Sequence, residues 1–360
     1  MTGRERCIAA LSRKEPDILP VGEAWIDPPI IEKVTGYKIS SSLPSYYSTL
    51  EQDLMDSYIL CYKKLGLDYI VANIGGIVTK VISENIWKNE WRTTIKYNPT
   101  TGAMAYIDFP IKNRDDLENY EPPDPMDPKL MIKFEYFKKR IKDEMLIVAQ
   151  ISDGGFPYFL MPFSDFLKSF YTDQSFIEKL CDIEMNYSIE LAKRVADAGA
   201  EAVILARDLA DNKGPFVNPK LLRKIVFPRI RKVVQTLKKR GIFVIKHTDG
   251  NITTLIQDFI EMGFDAIHPL EPKAGNNIAE IKKKYGDKIC LIGNVDCAYT
   301  LSFGTEEDVE KETIECIKSA SPGGGHILGS SHSLHHGVKL ENVLAMIRTG
   351  RKYGKYPIRL

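Results

Sequence analysis

The segment His247-Thr248-Asp249-Gly250 closes a β-branched run and carries two metal-capable side chains two residues apart. Alternate residues of a strand point the same way, so this imidazole and carboxylate face one centre. Both are ordinary zinc ligands, and three protein ligands with one open position make a catalytic metal site. His332, in the tract Ser331-His332-Ser333-Leu334-His335-His336-Gly337, offers the third. The competing reading is a plain hydrogen bond from His247 to Asp249 or to a carbonyl, because a two-ligand spacing is generic. His335 and His336 read as supporting or surface groups, and His268, inside an apolar run, as a satisfied core histidine.

Such residues need a frame that converges them. Eight short β-branched runs recur, at 17–25, 67–76, 144–155, 200–208, 241–250, 263–272, 288–296 and 325–331. Continuous apolar runs of this kind read as parallel strands covered on both faces. Between them, 174–198 and 219–240 carry apolar residues at three- and four-residue spacing, stopped by Gly199 and Gly241. The count of eight, with no GxGxxG opening the first module, predicts a (β/α)8 TIM barrel over one domain, 1–360. A short amphipathic helix at 2–12 plugs its bottom, and Gly323-Gly324-Gly325, preceding a strand, reads as a bottom loop. Residues 78–112 break the rhythm. They alternate like antiparallel strands around the turn Asn98-Pro99-Thr100-Thr101-Gly102, predicting a β-hairpin insertion between strands two and three, a lid or a mere contact surface.

In a barrel of this type the carboxyl ends of the strands converge on one pocket. Those ends carry Glu23 and Trp25, Asn73, Ser152 and Asp153, Arg207 and Asp208, His247 and Asp249, Glu271, Asn294 and Asp296, and Ser330 to His332. Bulk properties exclude other classes. With 49 basic and 48 acidic residues the net charge is +1, which recruits neither nucleic acid nor a membrane surface. No apolar run is long enough to cross a bilayer and no leader pattern opens the chain, which predicts a cytoplasmic protein. Six cysteines without CxxC pairs read as reduced core thiols.

The stretches GRERCIAALSRKEPDILPV (3–21) and HTDGNITTLIQDFIEMGFDAIHPLEPKAGNN (247–277) resemble the uroporphyrinogen decarboxylase superfamily of (β/α)8 barrels. Its decarboxylases carry an arginine-rich stretch after the first strand. Here that stretch, GEAWIDPPIIEKV (22–34), has no arginine, which argues against an octa-acid substrate. The other branch transfers methyl groups to and from corrinoids and holds zinc through a His-x-Cys and a later Cys. Asp249 and His332 stand at those two cysteine positions. Harder ligands suit a Lewis acid for an ether oxygen. The resemblance therefore implies the methyltransferase I component of an O-demethylase system. It moves methyl from a small aromatic methyl ether to the cobalamin of a separate corrinoid protein, with zinc on His247, Asp249 and His332. No DxHxxG motif is present, so the corrinoid rides on that partner. On this reading Asp208, Glu23 and Asp296 are the catalytic acids. Trp25, Asp153, Phe156, Tyr158, Asn294 and Ser330 contact substrate, with Trp25, Tyr158 and Phe156 around the ring. A decarboxylase-like lyase is the alternative, and a homodimer stays open.

Overall fold

The computed structural model describes residues 1–39 and 51–360. The runs rich in Val, Ile, Leu and Ala become short parallel strands: β1 (Tyr69–Asn73), β6 (Leu146–Ile151), β7 (Ala202–Ala206), β10 (Phe243–His247), β11 (Ala266–His268), β12 (Cys290–Ile292) and β13 (His326–Ile327). They form one seven-stranded sheet in the order β1-β6-β7-β10-β11-β12-β13, every pairing parallel. Helices cross between successive strands, including Gln174–Asp197 before β7 and Phe227–Lys238 before β10. Gly199 and Gly241, at φ +84° and +74°, end them where a side chain would be strained.

The count of eight strands is corrected to seven. The first expected strand, 17–25, is reduced to two isolated bridges, Val21 in parallel with Leu328 and Ile18 antiparallel with Lys355. Its edges are nonetheless bonded on both sides: Leu328 N donates to Pro20 O, Gly22 N to Leu328 O, and Asp68 N to Val21 O. Pro20 has no N–H for a ladder, and a Cβ on Gly22 would stand 2.2 Å from the Tyr69 ring. The chain here is close-packed and short of donors, so it spans the gap between the sheet's outer strands without extending along them.

Two apolar layers follow from the side-chain alternation. Every second residue, Tyr69 and Val71, Leu146 and Val148, Ala202 and Ile204, Cys290 and Ile292, points inward to one cluster. The helix Gly3–Leu11, started by a capping box of Thr2 and Glu5, adds Cys7, Ala10 and Leu11 to it. It fills the amino-terminal end of the sheet, and Gly324 lies against the backbone of Lys14 just beyond it. The residues between point outward under the helices.

Between β1 and β6 lies a four-stranded antiparallel meander, β2 (Val78–Ser83), β3 (Ile86–Asn89), β4 (Thr94–Tyr97) and β5 (Met104–Asp108). Its last turn is tied by Gly102 N to Asn98 O and Asn98 N to Ala103 O. It is anchored over the carboxyl ends of the parallel strands. Thr93 Oγ1 donates to Phe159 O at 2.8 Å, and Tyr97 meets His336 Nε2 at 3.1 Å. Two further strands of two residues, β8 (Ala210–Asp211) and β9 (Gly214–Pro215), make a small hairpin after β7.

Candidate functional site

Parallel register builds the site. His247 ends β10 opposite Ala206 of β7 and His268 of β11. Two residues past those ends, Asp208 and Asp249 come together: Asp249 N donates to Asp208 Oδ1 at 3.1 Å. His247 Nε2 faces Asp208 Oδ1 at 3.7 Å and Asp249 Oδ1 at 3.8 Å, and one atom of each residue lies within 4.8 Å of the others. Asp249 Oδ1 is buried without a hydrogen-bond partner among the described residues. An unpartnered buried carboxylate oxygen is costly unless something cationic meets it. The donor set, one imidazole and two carboxylates, fits a divalent cation such as zinc.

The surroundings prepare those donors. His247 Nδ1 is bonded to His268 Nδ1 at 2.9 Å, which leaves Nε2 as the free nitrogen. Burial holds His247 below its ordinary value, outweighing Asp249 and Asp208, and burial together with His247 holds His268 lower still. Neutral imidazole is the ligating form. His332 stands outside the three: its Nε2 lies 2.9 Å from Asp249 Oδ2, and its ring centroid is 6.3 Å from that of His247. Burial opposes its charge, but the hydrogen bond and charge of Asp249 lift it to about 9. Asp249 in turn is held down to about 2 by His247 and His332 against its burial. The structure thus bonds His332, expected as a ligand, to Asp249, and brings Asp208, expected as an acid, beside His247 and Asp249.

Trp25 closes one side. Its ring meets His247 edge-on at 4.6 Å and His268 at 5.8 Å, and its Nε1 donates to Gln150 Oε1 at 2.8 Å. Glu23 is buried and takes both Ser330 N and Ser330 Oγ, at 2.8 and 2.6 Å. Burial pushes it to about 7 despite those bonds and the field of His332.

Several expected site residues are spent elsewhere. Asp153 pairs with Lys246 Nζ at 2.7 Å with neither side chain exposed, and its other oxygen takes Gly155 N at 3.0 Å. Phe156 is fully buried against Phe166, 4.7 Å between ring centroids, and belongs to the core. Asn294 donates to Leu270 O and accepts from Cys316, and Asp296 Oδ1 takes Ala298 N, so both fasten their own loops. Tyr158 is half-buried under the Arg207 guanidinium, 5.4 Å from its ring. His335 bonds Cys297 O, and His336 bonds Asp27 and Tyr97. All six cysteines are free and buried.

Sequence reasoning missed Glu184. It is fully buried on the helix Gln174–Asp197, binds Ser152, and pairs with Arg207 Nη2 at 2.7 Å. The signal was there: Glu184 sits at helical spacing between Leu180, Cys181 and Ser188, an acid on an apolar face. Burial works against the Arg207 charge, yet Glu184 holds it above its ordinary value.

Comparison with known proteins agrees with this architecture. A family profile described as uroporphyrinogen decarboxylase (URO-D) matches residues 2–353. A methylcobamide:CoM methyltransferase of Methanosarcina barkeri is 25% identical over 194 residues, 54% of this chain and 54% of that protein. The chain therefore matches about half the length of that relative. A uroporphyrinogen decarboxylase of Trichodesmium erythraeum is 24% identical over 261 residues, covering 68% of this chain and 70% of that protein. Among solved structures, a methyltransferase from Methanosarcina mazei has a TM-score of 0.75 at 20% identity, covering 98% of this chain and 99% of that one, and so shares its fold. No helix of the described residues is long and apolar enough to cross a membrane.

Proposed function

The chain belongs to the uroporphyrinogen decarboxylase (URO-D) family, and from that premise we propose that it is a corrinoid-dependent methyltransferase acting on a small aromatic methyl ether. The observation that carries this reading is the Asp208–His247–Asp249 cluster with its unpartnered Asp249 oxygen. We read the whole chain as one (β/α)8 barrel domain, with the bridging segment at Val21 as the eighth stave. Six free thiols support a reducing, cytoplasmic setting.

The residues divide the work. Asp208, His247 and Asp249 would hold zinc, with His268 fixing the imidazole and His332 fixing Asp249. Bound there, the metal would supply Lewis acidity to an ether oxygen. Trp25 walls one side of the cluster, its ring edge-on to His247. In the overall exchange the O–CH3 bond breaks, its electron pair stays on the aryl oxygen, and the methyl group passes to the cob(I)alamin of a separate corrinoid protein docked at the mouth. Glu23, poised near 7 beside Ser330, is the proton store we assign for the aryloxide product.

A decarboxylase acting on an octa-acid would need free cations at the mouth. The cations described there are already matched, Arg207 by Glu184 and Lys246 by Asp153. The test is a corrinoid methylation assay: cob(I)alamin protein, a panel of methoxybenzenes, and the absorbance change to methylcobalamin. Methylation from a methoxyarene with release of the phenol supports the proposal. No methylcobalamin from any donor, with uroporphyrinogen turned over instead, defeats it.

A further inference from the structure

Four residues that line one cavity each carry a buried polar atom with no hydrogen-bond partner among the described residues: Asn73 Oδ1, Glu90 Oε2, Tyr187 Oη and Arg207 Nε. The cavity lies between the meander and the ends of β1, β6 and β7, and measures about 260 Å³. None of these four belongs to the Asp208–His247–Asp249 cluster. Unpaired buried polar atoms are rare because each forfeits its hydration, and four such residues around one small cavity point to a ligand with complementary groups.

The remaining walls say what kind of ligand. Trp87 and Trp91 of the meander are nearly fully buried, and Trp91 meets Phe159 at 5.1 Å and Tyr187 at 4.6 Å between ring centroids. Aromatic walls of this kind favour a flat ring. The volume exceeds the roughly 150 Å³ cavity that takes up benzene and falls short of the roughly 300 Å³ at which drug-sized pockets begin, so it suits one substituted ring. Charge selects further. Arg207 is already paired with Glu184 at 2.7 Å, and Glu90 adds an acid whose Oε1 takes Gly76 N. An anionic substituent would find no free cation. A hydroxyl group, by contrast, donates to Asn73 or Glu90 and accepts from Tyr187 or Arg207.

We propose that this cavity is a binding site for a neutral, hydroxyl-bearing aromatic ring, read by Asn73, Glu90, Tyr187 and Arg207 between Trp87, Trp91 and Phe159. It adjoins the cluster without overlapping it. Gln150, in its wall, accepts from Trp25, whose ring packs on His247, and Arg207 precedes Asp208 in the chain. The site stands on the geometry alone; its use as the pocket for the methyl donor rests on the methyltransferase reading. Of the strand-end residues, Asn73, Ser152 and Arg207 line it, whereas the expected substrate contacts Asp153 and Asn294 do not.

The experiment is calorimetric titration of the full chain with 2-methoxyphenol, with the anion 4-methoxybenzoate and with trimethylglycine as comparison ligands. The key variant is Tyr187→Phe, which removes only a hydroxyl without a partner and so folds at least as stably as the parent. Expected are binding of 2-methoxyphenol in preference to both charged compounds, and weakening of roughly tenfold in Tyr187→Phe and in Asn73→Ala. The melting temperature of Tyr187→Phe stays level or rises. His247→Ala, which disables the metal cluster, binds 2-methoxyphenol within about twofold of the parent by the same bookkeeping. Unchanged affinity in Tyr187→Phe, tighter binding of either charged ligand, or loss of binding in His247→Ala overturns the proposal. Binding that follows the expected pattern without any methyl transfer to cob(I)alamin leaves this site standing and removes only the methyltransferase reading.

Discussion

Two arcs of the same rim carry the same residue types and use them differently. At the ends of β7 and β10, His247 Nε2 and Asp249 Oδ1 are left turned toward Asp208 with no hydrogen bond of their own among the described residues. At the ends of β12 and β13, Asn294 and Asp296 hold Leu270 O and Ala298 N, and Ser330 fastens Glu23. Both arcs read alike as polar strand ends. What separates chemistry from architecture is whether the polar atoms are already satisfied, and this follows from register across strands.

The comparison can be broken or sharpened by substitution. The largest effect belongs to the open arc. His247→Ala removes a ligand and should lower methyl transfer by roughly a thousandfold, since a Lewis acid supplies several kcal/mol at the transition state; a variant within tenfold of the parent would show the cluster to be idle. Next comes Asp153, an expected substrate contact that the structure turns into the partner of a wholly buried Lys246. Asp153→Ala should cost about 3–5 kcal/mol of stability by leaving that ammonium unpaired. Urea unfolding would show it, and a normal midpoint with weakened substrate binding would restore the original reading.

Glu23, fastened by Ser330, gives a pH signature. Its folded value of about 7 lies above the ordinary 4.5, so the folded chain binds the extra proton between those limits. Stability should therefore fall as pH rises from about 4.5 to 7, by up to roughly 3 kcal/mol. Glu23→Gln should flatten that slope in melting scans at graded pH, whereas a slope identical to the parent's would assign the effect to other groups. The smallest effect belongs to the closed arc. Asp296→Asn keeps an acceptor for Ala298 N and loses only a 3.8 Å pair with the largely exposed Lys273. Stability should move by less than about 1 kcal/mol and turnover should stay near the parent's; a collapse of turnover would return Asp296 to the catalytic set.

Much of this was legible in the chain. The spacing of His247 and Asp249 follows from strand alternation, and the helices end at the glycines that demand positive φ. The stops of the sheet were harder. Pro20 and Gly22 sit in a run that reads as a strand, but the one removes a donor and the other bulk, and only isolated bridges are left. The convergence of the strand ends was legible, but not which cross-strand partners touch. Asp208 is 39 positions from His247, and the register of β7 on β10 that brings them together depends on the whole sheet. The same holds for His268, whose place beside His247 is set by the β10–β11 pairing. Glu184 was visible as an acid on an apolar helix face, although its partner Arg207 was not.

The most direct measurement is the metal content of the purified chain after zinc loading and dialysis, set beside Asp249→Asn and Asp296→Asn. The account predicts one zinc per chain in the parent and in Asp296→Asn, and affinity weakened by roughly ten- to a hundredfold or more in Asp249→Asn. Equal zinc retention in all three proteins, or none in the parent under loading, would contradict it.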